Sequence, residues 1–120
     1  MRKPDLWLAI AINQRVRSND EWFDEPDDLD RVQLALESID ELDHPVEAAG
    51  VLAFGVTRAQ GFTEGNKRTA LLLAKWTLDN NGQDSRQFID PAERELADLL
   101  VRAASGQDVA DIVRYFTDRG

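Results

Sequence analysis

Gln60-Gly61-Phe62-Thr63-Glu64-Gly65-Asn66-Lys67-Arg68-Thr69-Ala70 is the stretch that decides the fold, together with the apolar run behind it. It reads as a turn that delivers the chain into a helix. Gly65 supplies positive φ where the turn needs it. Asn66 is expected as the N-cap, its side-chain oxygen accepting an amide proton of the first turn. Residues 67–80 then run through Leu71, Leu72, Leu73, Ala74, Trp76 and Leu78 without Pro or Gly, and Asn80-Asn81-Gly82 closes the helix. The apolar residues fall on nearly every face. That pattern predicts a helix buried on all sides at the centre of an all-α fold.

The polar start of this helix is unusual. Lys67 and Arg68 lie in the first turn, where the helix dipole already presents positive charge. Two cations there repel the dipole and each other, and an anion relieves both. Free amides, a dipole end and two cations make a phosphate site. An ordinary capped helix with two solvated cations is the competing reading.

The run resembles the signature of the Fic/Doc family, His-x-Phe-x-(Asp/Glu/Asn)-(Gly/Ala)-Asn-Lys-Arg-Thr-Ala. Phe62, Glu64, Gly65, Asn66, Lys67, Arg68, Thr69 and Ala70 all fit it. Lys67 is similar to the Doc (death-on-curing) branch, since AMP-transferring Fic proteins usually carry Gly there and a second Arg where this chain has Leu71. The resemblance implies a bundle of about six helices. It implies Mg²⁺ and ATP as cofactor and co-substrate, with Gly65, Asn66, Lys67 and Arg68 on the phosphates and Glu64 on the metal. Phe62 would anchor the loop in the core. Doc-type members are phosphotransferases that act on elongation factor Tu, Fic-type members transfer AMP, and Doc toxins are neutralised by a Phd-like antitoxin whose C-terminal segment packs as a helix.

One departure outweighs the matches. Gln60 stands where the family has its catalytic His. An imidazole takes a proton from an attacking hydroxyl near neutral pH, and a carboxamide does not. Losing a general base costs about 10²–10⁴ in rate. Three readings remain open: a natural nucleotide- or antitoxin-binding module without catalysis, a substitution that disarms a toxic enzyme, or an enzyme with another proton acceptor. The first two predict an intact phosphate site with little turnover.

Composition narrows the rest. The 120 residues suit one domain over 1–120, and 42% hydrophobic residues can fill its core. No run approaches a membrane span, and the N-terminus has no signal-peptide pattern. There is no Cys, so no disulfide and no thiolate metal site, which fits a cytoplasmic protein. The net charge of −9 argues against direct nucleic-acid binding and for basic or apolar partner segments. A Walker-type phosphate loop fails because Asn66, not Gly, precedes Lys67. The acidic residues form no alternating Ca²⁺ ladder.

Working outward, residues 5–17 read as a first helix, with Leu6, Ala9, Ile10 and Asn13 on one face and Trp7 expected in the core. Residues 18–30 hold seven acidic side chains around Trp22-Phe23 and read as a loop. By resemblance this is the flap that aligns a target peptide; a solvated acidic loop is the alternative. A second helix is expected over 29–42, with Asp27 or Asp28 leading into it, and a third from Val46 to Ala59 whose small residues allow close packing. His44, the sole His, precedes that third helix while Gln60 follows it. Sixteen residues of helix span about 24 Å, so His44 does not replace the missing base. A fifth helix is expected to start at Asp90-Pro91, with Glu93 completing a capping box, and to stop at Gly106. A sixth should run from Asp108 to about Thr117, burying Val109, Ile112, Val113 and Phe116.

Overall fold

The first two helices begin where an Asp supplies a side-chain cap. In the computed structural model, which describes residues 1–17, 27–90, 94–105 and 110–118, Asp5 accepts the Leu8 N–H at 2.9 Å and opens α1 (Leu6–Val16). Asp28 accepts the Arg31 N–H at 3.3 Å and opens α2 (Leu29–Glu37). Pro45 occupies the first turn of α3 (Pro45–Ala59). Then follow α4 (Asn66–Asp79), a single 3₁₀ turn at Ser85–Gln87, α5 (Arg94–Ala104) and α6 (Ala110–Thr117). No strand occurs among the described residues, so the all-α, six-helix expectation holds.

The central helix is α3 rather than α4. It packs on α2, α4, α5 and α6. Its small residues make this possible: Ala48, Ala49 and Ala53 have no exposed surface. At Gly50 an added Cβ would lie 3.0 Å from the Val113 Cα, so the α3–α6 approach is set by the missing side chain. The helix joins two apolar clusters. One gathers Val32, Leu36, Ile39, Leu52, Val56 and Phe62 between α1, α2 and α4. The other gathers Leu78, Phe88, Leu96, Leu100, Ile112 and Phe116 beneath α5 and α6.

Several expectations are corrected. Although Leu73, Ala74 and Leu78 of α4 are fully buried, the helix keeps an exposed side with Lys67, Arg68, Leu72 and Lys75. Trp7 is 79% exposed, because the buried side of α1 is the one carrying Ala9 and Asn13. The second helix stops at Glu37 instead of Leu42. There the Ser38 hydroxyl donates to the Ala35 carbonyl at 2.6 Å and the chain tightens into a turn. In α6, Tyr115 is buried as well as Ile112 and Phe116. The Pro91–Glu93 part of the expected fifth-helix start, Gly106, Val109 and most of the flap, including Trp22 and Phe23, lie outside the described residues. Among the described residues no helix is long and apolar enough to cross a membrane.

Candidate functional site

The loop between α3 and α4 is built by side chains that satisfy backbone groups. Gln60 ends α3 in the left-handed region (φ 47°), the one non-Gly residue there among those described. Such a cap costs about 1–2 kcal/mol for a residue with a Cβ. Its exposed side chain reaches the C-terminal end of α5: Nε2 donates to the Ala104 carbonyl at 3.2 Å. Gly61 is buried, and its carbonyl accepts the Asp28 N–H at 2.6 Å. A Cβ at Gly61 would meet the Asp28 carbonyl oxygen at 2.7 Å, so only glycine permits this join to the start of α2. Phe62 is buried at 3% exposure and anchors the loop in the core, as expected.

Asn66 does not cap the helix. The cap position is Gly65, at φ 77°, and among the described residues no side chain bonds the first-turn amides. The Asn66 carboxamide reaches back instead. Its Oδ1 accepts the Phe62 N–H at 3.1 Å and its Nδ2 donates to the Phe62 carbonyl at 2.9 Å. The turn is thereby closed without using any amide of the helix start. Lys67 and Arg68 are exposed, and neither has an ion pair or hydrogen bond with a described residue.

A second tier holds the loop from below, and sequence reasoning did not find it. Asn13 of α1 is 1% exposed. Its Nδ2 donates to the Glu64 carbonyl at 2.9 Å and to the Thr69 hydroxyl at 3.1 Å, while its Oδ1 accepts Arg17 Nε at 2.5 Å. Arg17 also pairs with Asp27, donates weakly to the Thr63 hydroxyl at 3.4 Å and lies 5.9 Å from the Phe62 ring centroid. Asp27 in turn accepts the Thr63 N–H at 2.8 Å. The signal for Asn13 was present as a polar residue on an otherwise apolar face. Arg17 and Asp27 gave no such signal.

The arrangement leaves the start of α4 with uncapped amides, a dipole end and two available cations, which is chemistry suited to a polyanion. Glu64 lies in the same loop, half-buried. No group of three His, Cys, Asp or Glu side chains assembles among the described residues. A divalent ion would therefore need phosphate oxygens and water beside Glu64, a donor set that suits Mg²⁺. His44 begins α3, exposed, at the far end from Gln60, and its side chain makes no cap bond.

The Fic/DOC family model matches residues 8–78, from α1 to the end of α4 and more than half of the chain. The chain belongs to the Fic/DOC family. The matched part contains the whole loop, both tiers that hold it, and the cationic start of α4. No curated protein matches the chain.

Proposed function

We propose that this Fic/DOC protein binds the phosphates of ATP at the start of α4 and is a Doc-like toxin paired with a Phd-like antitoxin. The observation that carries the reading is the pair Lys67 and Arg68. Both stand exposed beside amides that no described side chain caps, while the carboxamide that would ordinarily cap them is spent on Phe62. Lys67 and Arg68 supply charge to phosphate oxygens, the amides orient them, and Glu64 is the residue that would hold Mg²⁺. The bound metal would neutralise phosphate charge. In the Doc-type reaction a hydroxyl oxygen of a target protein bonds to the γ-phosphorus, and ADP leaves. In the Fic-type alternative the α-phosphorus is attacked and pyrophosphate leaves. A translation factor such as elongation factor Tu is the target class of the Doc branch.

Either reaction needs a group to take the hydroxyl proton. Gln60 is not that group: its nitrogen is a donor engaged with the Ala104 carbonyl, and its oxygen is too weak a base. The chain as written is therefore a slow catalyst. The same hydrogen bond favours a second reading, a non-catalytic module that binds nucleotide or antitoxin. The test is label transfer from ATP with Mg²⁺ into bacterial lysate protein, for this chain and for Gln60→His. The toxin reading expects the His form to transfer label about 10²–10⁴ times faster. Label on the γ- or the α-phosphorus separates phosphate from AMP transfer. Equal rates for the two forms contradict the assigned role of residue 60. ATP binding with no transfer by either form supports the module.

A further inference from the structure

Glu64 belongs to a closed ring of hydrogen bonds. Asn13 Oδ1 accepts Arg17 Nε at 2.5 Å, Arg17 Nη2 pairs with Asp27, Asp27 Oδ1 accepts the Thr63 N–H at 2.8 Å, and the Glu64 carbonyl accepts Asn13 Nδ2 at 2.9 Å. Arg17 Nη1 adds a weaker bond to the Thr63 hydroxyl at 3.4 Å, so each nitrogen of one guanidinium has its own partner. The backbone of Thr63-Glu64 is fixed at both ends, at the N–H of the first residue and the carbonyl of the second. The ring is also tied to the helix start. Asn13 Nδ2 donates to the Thr69 hydroxyl at 3.1 Å, and a Cβ added at Gly65 would lie 3.2 Å from the same nitrogen. Glu64 is thereby held in a set relation to the first turn of α4.

Stability alone is a poor reason for this ring. Its ion pair is largely withdrawn from water, with the Arg17 side chain 13% and the Asp27 side chain 22% exposed. A pair so placed loses in desolvation much of what attraction gains, and apolar residues of similar volume would serve a fold as well. What a guanidinium adds is direction, because its planar fork fixes several partners at once. The residue so directed carries a carboxylate in the loop that leads into the phosphate site. Beside polyphosphate alone that carboxylate repels its neighbour; with a divalent cation between them it becomes a ligand. We propose that Asn13, Arg17 and Asp27 are positioning residues, which hold Glu64 where it and the phosphates of ATP share one divalent cation. The proposal rests on the nucleotide reading above and adds to it the residues that set metal affinity.

The test is calorimetric binding of ATP to the full chain, once with EDTA and once with saturating Mg²⁺. The unaltered chain should bind Mg–ATP more tightly than metal-free ATP, and Glu64→Gln should remove that advantage. Arg17→Lys keeps the charge and loses the fork. Asp27→Asn keeps an acceptor for the Thr63 N–H and loses the charge that faces Arg17. Each should cut the metal-dependent advantage about tenfold or more, the usual effect of removing a group that orients a metal ligand. Each should leave the affinity for metal-free ATP as it is in the unaltered chain. The proposal is overturned if both variants keep the full metal advantage however far their melting temperatures fall, since the ring is then structural only. It is equally overturned if metal-free ATP binding weakens by the same factor, since the ring then supports the whole phosphate site and not Glu64. Failure of the underlying reading looks different. An unaltered chain that binds ATP in neither condition overturns the nucleotide reading and the proposal with it, and a metal advantage that survives Glu64→Gln overturns the role given to Glu64.

Discussion

The two ends of α4 are held in opposite ways. At its C-terminus the asparagines close the helix on itself, and Asn81 also ties it to the Arg2 backbone. The Asn80 N–H and Nδ2 both donate to the Trp76 carbonyl, Asn81 Nδ2 donates to the Thr77 carbonyl at 2.7 Å, and the Gln83 N–H donates to the Leu78 carbonyl at 3.0 Å. At its N-terminus the polar side chains serve the preceding loop, and the helix amides are left over. One end is finished within the chain; the other is rigidly placed and chemically unfinished. A chain selected for stability alone would cap both.

The largest expected effect tests how that open end is placed. Asn13→Ala leaves the Glu64 carbonyl and the Thr69 hydroxyl without their donor and removes the partner of Arg17 Nε. Each buried group so orphaned costs about 1–3 kcal/mol. Chemical denaturation should show a loss larger than for any single cap residue at the far end. A loss no greater than that of Asn80→Ala would mean that the loop is held elsewhere. Asp27→Asn should cost about 2 kcal/mol by the same measurement, because the half-buried Arg17 guanidinium loses its counter-charge.

Next comes the contrast itself. Lys67→Ala with Arg68→Ala removes like charge from the positive end of the helix dipole, and should raise stability by about 0.3–1 kcal/mol per residue. The same change should weaken ATP binding at least about tenfold. Asn80→Ala should do the reverse, lowering stability by about 1 kcal/mol with ATP affinity unchanged. Should the cation variants lose stability instead, Lys67 and Arg68 belong to the fold and the two ends are alike.

The smallest effect lies beyond the C-terminal end. The Arg86 guanidinium bonds Asp84 at 3.0 and 3.1 Å and holds its carboxyl below the usual carboxylate range. A carboxylate with a lowered folded pKa adds stability above its ordinary range and loses it as pH falls through the lowered value. Arg86→Ala should move the Asp84 titration, followed by NMR, upward toward the ordinary range, while the Arg86 backbone N–H keeps part of the lowering. Both groups are solvent-exposed, so the melting temperature should barely move.

The legible parts of this chain were those written in consecutive residues. The motif loop, the left-handed Gly65 and the entry to α2 at Asp28 are local, and local chemistry determines them. Asn66 was misread because an Asn before a helix serves equally as a cap or as a brace for the turn, and the choice depends on where Phe62 lies. The Arg17–Asp27–Thr63 brace joins three distant segments, which no window along the chain contains. Trp7 was misplaced for a related reason. Helix α1 is apolar on two sides, and periodicity cannot say which side the other helices cover. The centrality of α3 was hidden because its close contacts come from small side chains, which carry little hydrophobic signal.

The most direct measurement is an amide NMR titration of the unaltered chain with Mg–ATP. The account predicts saturable shifts centred on Gly65, Asn66, Lys67 and Arg68, lost in Arg68→Ala and retained in Gln60→His. Shifts centred on another part of the molecule, or none at any nucleotide and metal concentration, would contradict it.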